Sequence, residues 1–145
     1  MYAVKSRKEY LTNKVKTATP MELVVIVYDA AIGFLDCVAG CWEQRDFIAA
    51  GERIVKTQKC IRELKRALNM TDGKEIAENL HALYRYMDSV LTEASVKKDT
   101  AALERVQRML KELRETWDQV AKQNPQPESV SSEHTVGATY INMYK

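Results

Sequence analysis

Three observations predict an all-α fold: an antiparallel up-and-down four-helix bundle with a short N-terminal arm or helix and a flexible C-terminal tail. Prolines stand only at positions 20, 125 and 127, so the stretch from Met21 to Asn124 is free of the strongest helix breaker. Apolar residues recur through that stretch at alternating steps of three and four, the mark of one buried helix face. Short clusters of cap and turn residues separate the seams, and connections that short set neighbouring helices antiparallel.

Residues 1–18 form the arm. Tyr2, Tyr10, Leu11 and Val15 stand there among lysines, too sparse for a core helix, so the segment is either a short docked helix or a mobile one. Thr19-Pro20-Met21-Glu22 spells a helix start, with Thr19 as N-cap, Pro20 where its missing donor costs nothing, and Glu22 closing a capping box. The first long helix is expected to run from there to about Gln44. It is apolar almost all round, apart from Glu22, Asp29, Asp36 and Glu43, whose spacing of seven keeps them on one narrow line.

Asp46 caps a second helix whose seam is Phe47, Ala50, Ile54, Thr57, Ile61, Leu64 and Leu68. A turn at Asn69–Gly73 leads to a third, with Ile76, Leu80, Leu83, Met87, Val90 and Ala94 on its seam and Tyr84, Tyr86 and Leu91 widening the apolar face. Lys97 and Lys98 suit its negative end, and Asp99 caps the fourth helix, striped by Leu103, Val106, Leu110, Leu113, Trp117 and Val120. The chain thus divides into an arm at 1–18, a bundle at 19–124 and a tail at 125–145. Tail composition is rich in Pro, Ser and Glu until the apolar Tyr140-Ile141-Asn142-Met143-Tyr144.

Composition excludes several classes of function. In 145 residues, 22 basic side chains balance 20 acidic ones, and a net charge of +2 makes no field for nucleic acid or an anionic membrane. Three cysteines, Cys37, Cys41 and Cys60, are no disulfide framework and fit a reducing cytoplasm, where they are expected to be small buried residues. The N-terminus has no signal-peptide core, and Asp29 and Asp36 interrupt the apolar helix before membrane-spanning length, so a cytoplasmic protein without membrane insertion is expected.

No catalytic pattern emerges. Glu78-Asn79-Leu80-His81 is a single Glu-x-x-His element, and a di-metal bundle site needs two, with further inward glutamates. Cys37 and Cys41 stand one turn apart but lack the other two ligands of a structural zinc. There is no phosphate-cradling glycine loop and no nucleophile with a base beside it, so no enzyme activity, metal or cofactor is expected. The carboxylates of the first helix lie about 10.5 Å apart along its axis, too far for coupled acid–base work. A solvated edge accounts for them.

The first helix carries more apolar surface than a bundle easily hides. Either it is central and fully packed, or part of it lines an elongated groove that accepts a helix or an extended peptide. A self-assembling structural protein, burying that helix in a homodimer, is the alternative from a different class. A monomer or weak homodimer fits the groove.

Asn13-Lys14-Val15, Thr17-Ala18-Thr19-Pro20-Met21-Glu22-Leu23 and Tyr28-Asp29-Ala30-Ala31-Ile32-Gly33-Phe34-Leu35 closely resemble the opening of the flagellin-specific export chaperones, the FliS family. Leu68-Asn69-Met70, the run Ile76–Met87 and Leu113-Arg114-Glu115-Thr116-Trp117 are similar to that family's turn, third-helix and fourth-helix motifs, in order. Asp29-Ala30 replaces the family's common Asp-Gly, Ala94-Ser95 its Ala-Asn, and the tail passes the usual family end. The resemblance implies a cytoplasmic chaperone that binds the disordered C-terminal segment of flagellin, prevents premature polymerisation and supports delivery to the flagellar export gate. It implies partner contacts near Leu23, Ile26 and Val27 on the first helix and Leu83, Tyr84 and Met87 on the third. Tyr10 and Val15 would belong to an arm that occludes the groove or meets the gate.

Overall fold

A computed structural model describes residues 2–68 and 74–123, and all six elements among them are helices. These are α1 (Tyr2–Thr17), α2 (Pro20–Leu35), α3 (Val38–Glu43), α4 (Phe47–Arg66), α5 (Lys74–Lys97) and α6 (Thr100–Gln123). The expected turn at Asn69–Gly73 and the expected tail lie outside the described residues.

Local sequence explains the boundaries. Thr19 Oγ1 accepts from the Glu22 amide at 3.3 Å while the Glu22 carboxylate accepts from the Thr19 amide at 3.1 Å, so the capping box is complete. Asp46 caps α4 by accepting from the Ala49 amide, and Asp99 caps α6 by accepting from the Ala102 amide, both at 3.2 Å. Arg45 and Lys98, at φ 59° and 55°, take the left-handed conformation that ends α3 and α5.

The first long helix departs from expectation. It stops at Leu35 and restarts at Val38, with Cys37 at φ −102° and ψ −2° between them, on the edge of the helical region. Gly33 and Gly40 flank the break and lower helix propensity on both sides. Asp36, at the break itself, accepts a hydrogen bond from Gln107 of α6.

Packing joins the long helices in a closed circuit: α2 lies against α4 and α6, and α5 lies against the same two. α3 packs on α4. Tyr28, Ile54, Ile61, Tyr84, Met87, Leu91 and Leu110 fill the centre, each fully buried. Burying each aliphatic side chain among them is worth roughly 1.5–3 kcal/mol. α1 stands outside the circuit, and its Leu11 and Val15, with Ala18 just past its end, pack against the core.

The apolar surplus of α2 is consumed within the fold. Nine of its 16 residues are buried, Val24 and Ile32 are half-buried, and only Glu22, Asp29 and Gly33 are exposed. The central position, rather than an open face, is what its composition encodes. The stretch Pro20–Glu43 is apolar enough to cross a membrane by composition, and it is packed here among its own chain's helices. Its acidic line is also more than a solvated edge, since Asp29 and Asp36 both bond to α6.

Candidate functional site

Two surface clefts flank the bundle, on either side of what α2 and α5 do at its centre. These two helices sit diagonally across the circuit and meet through one polar contact, the hydrogen-bonded hydroxyls of Tyr28 and Tyr84. Burial raises both phenols above their ordinary range, and the paired hydroxyl adds to the rise at Tyr28. They are neutral and closed to solvent, so they hold the diagonal together and do no chemistry.

On the arm side, Lys14 of α1, Ala18 just after it, Ile26 and Asp29 of α2, and Arg114 and Asp118 of α6 surround a cleft of about 170 Å³. Arg114 organises its polar wall. Its Nε donates to Asp29 at 2.8 Å and its Nη1 to Glu115 at 2.9 Å, and Asp118 lies 3.6 Å from Nη1. The Asp29 hydrogen bond holds the guanidinium pKa above its usual value, and the Lys122 ammonium, 3.0 Å away, holds the Asp118 carboxyl below its own. The arm therefore lies over an ordered, charge-paired surface.

On the far side, α4 and α5 leave an open groove of about 600 Å³. Phe47, Ile48 and Val55 from α4 and Val96 from α5 supply its apolar surface; Ile48 is 78% and Val96 76% exposed. Its two walls are tied by Gln58, whose amide donates to the Thr92 hydroxyl at 2.9 Å and the Asp88 carbonyl at 3.2 Å. Cations line the rim: Lys98 lies 5.2 Å over the Phe47 ring and Lys56 5.5 Å over that of Phe34.

The residues singled out from sequence fall in different places. Leu23, Ile26 and Val27 are buried on α2, Tyr84 and Met87 are buried on α5, and Leu83 is half-buried. The two sets stand on helices that lie diagonally across the circuit, and Ile26 also borders the arm-side cleft. Val15 is half-buried against the core, whereas Tyr10 on the same helix is 63% exposed. Cys60 is buried as expected, but Cys41 is only half-buried and Cys37, at the α2–α3 break, is exposed. Among the described residues no group of three or more His, Cys, Asp or Glu is placed to hold a metal.

Residues 2–124 match the family model described as "Flagellar protein FliS". The chain belongs to the FliS family. Among its relatives, the flagellar secretion chaperone FliS of Bacillus subtilis is 34% identical over 110 residues, covering 76% of this chain and 81% of that protein. That of Salmonella typhimurium is 33% identical over 126 residues, covering 83% and 93%, and FliSB of Pseudomonas aeruginosa is 32% identical over 125 residues, covering 83% and 99%. FliS proteins are chaperones and not enzymes, which agrees with the absence of a catalytic pattern in the sequence.

Within this FliS chain, the groove residues Ile48, Val55 and Val96 escaped the sequence reading. Their signal was available: Ile48 and Val55 stand seven apart, one position after Phe47 and Ile54 of the α4 seam, and Val96 lies two beyond the last seam residue of α5. Apolar residues just off a seam mark a second, outward stripe.

Proposed function

We propose that this chain is a cytoplasmic chaperone that binds the disordered C-terminal segment of flagellin, keeps it from polymerising and presents it to the flagellar export gate. Its fold in this reading is an antiparallel up-and-down four-helix bundle of α2, α4, α5 and α6, with α1 as a separable arm and residues 125–145 as a tail. The match of residues 2–124 to a family of flagellar secretion chaperones carries the proposal. The exposed apolar groove supports it, since a disordered segment gains affinity by burying apolar surface as it folds.

In this reading the arm occludes part of the client surface. Leu11, Val15 and Ala18 lie against the core beside α2, and moving them aside uncovers the layer around Leu23, Ile26 and Val27. Leu83, with Tyr84 and Met87 beneath it, belongs to the α5 side of the client path. Tyr10, exposed on the outer side of the arm, is left free to meet the gate.

Titration calorimetry with the C-terminal segment of the cognate flagellin tests the function. Saturable binding, a negative heat-capacity change and a gain in peptide helicity are expected, because coupled folding buries apolar surface. A full-length protein that gives no heat and no helicity change with that segment would overturn it.

A further inference from the structure

The groove between α4 and α5 has an occupant within reach in the chain itself. We propose that the segment Tyr140-Ile141-Asn142-Met143-Tyr144 docks in this groove, covering Phe47, Ile48, Val55 and Val96 of the same molecule. The groove is the one offered above to a client, so the tail would hold it when no client is bound; the docking itself does not depend on the client's identity.

Four observations carry it. The groove is real and unfilled by the described residues: about 600 Å³ lies between two helices, within the roughly 300–1,000 Å³ of clefts that hold ligands. Its most exposed side chains, Ile48 and Val96, are apolar residues that water does not favour. Residues 140–144 of the tail hold four large apolar or aromatic residues out of five, with no charge among them, and they lie beyond residue 124, where the family match stops.

Length permits the return. α6 begins at Thr100, just after α5 ends at Lys97, so the groove's Val96 lies at the start of α6 while the tail leaves from its end at Gln123. A helix of 24 residues is about 36 Å long at 1.5 Å per residue. The residues from 124 to 140 span up to about 55 Å at roughly 3.3 Å each when extended, enough to run back along α6 and cross a neighbouring helix.

Charge agrees. Between 125 and 144 the only charged side chains of fixed sign are Glu128 and Glu133, both acidic. Lys56 and Lys59 line the groove and Lys98 caps its Phe47 end, against Glu52 alone of opposite sign. An acidic approach to a lysine rim, followed by the uncharged run 140–144 ahead of the single cation Lys145, matches the groove in order.

Photo-crosslinking in the full-length chain tests it, with p-benzoylphenylalanine in place of Ile48 and, in a second protein, in place of the exposed Ile76 on α5. At sub-micromolar concentration the probe at 48 is expected to link to residues 140–144 within one chain, with at least a tenfold lower yield from 76. Changing Tyr140, Ile141, Met143 and Tyr144 together to Ser leaves the helices untouched and is expected to abolish the link. Val96→Glu, on the opposite wall, is expected to reduce it several-fold. The proposal is overturned by no link to the tail, by equal yields from both probes, or by a link that survives the serine changes. Links formed only between chains, with a concentration-dependent yield, also overturn it and assign the groove to a second copy.

Discussion

At the residue scale, the paired hydroxyls of Tyr28 and Tyr84 are a polar contact buried in the core. Tyr28→Phe removes the hydroxyl paired with that of Tyr84 inside the core, a loss of about 1–3 kcal/mol by urea denaturation. The double change to Phe removes both groups and is expected to cost less than the sum of the singles, a coupling that a double-mutant cycle reads directly. Cys60 makes a second, pH-dependent case. Burial first, and then the nearby Glu63 carboxylate, push its thiol from 9.0 up to about 12. A thiol held neutral in the folded state contributes its stability in full below pH 9 and loses it as pH rises toward 12, since the unfolded thiol ionises first. By pH 10 the loss is about 1 kcal/mol, and it should be absent from Cys60→Ala when denaturation midpoints are compared at pH 7 and 10. Sequence spacing could put Tyr28 and Tyr84 on helices, but their meeting needs the diagonal arrangement of α2 and α5. No periodicity along one chain encodes that.

At the scale of elements, the helices that were legible are those whose signals are local. The Thr19-Pro20-Met21-Glu22 start was readable because a capping box involves only four neighbouring residues, and it appears with both reciprocal hydrogen bonds. Thr19→Ala is expected to cost about 1 kcal/mol, and the melting temperature of the whole chain checks it. Asp46 and Asp99 were readable for the same reason. The break at Asp36–Cys37 was not, since a continuing apolar pattern masks two weak residues, and the hydrogen bond from Gln107 to Asp36 spans the chain from α2 to α6. Likewise the width of α2's apolar face could be counted, whereas the identity of what covers it depends on α4 and α6 closing over it.

At the scale of the molecule, α1 is the piece whose attachment is weakest by construction. Among the described side chains, Leu11 and Val15 of α1 and Ala18 just after it pack on the core, none larger than leucine and none fully buried. Leu11→Ala with Val15→Ala is therefore expected to loosen the arm while lowering the melting temperature of the rest by little, because truncating half-buried side chains costs less than truncating core ones. On the proposed function the same double change raises affinity for the flagellin segment several-fold, since occlusion reduces apparent affinity by the fraction of molecules that are open. Calorimetry on the full-length pair reads this, and an unchanged or weakened affinity would place the arm outside the client path.

The central place of α2 also matters while the chain is being made. It has α4 on one flank and α6 on the other, and α6 is the last described element to leave the ribosome. At roughly 5–20 residues per second, synthesis of α6 begins several seconds after that of α2. For that interval the most apolar stretch of the protein has at best half of its cover. A protein whose relatives are chaperones is thus itself, during its own synthesis, a chain with a sticky segment awaiting a partner, and its solubility in cells should depend on how fast its second half follows the first.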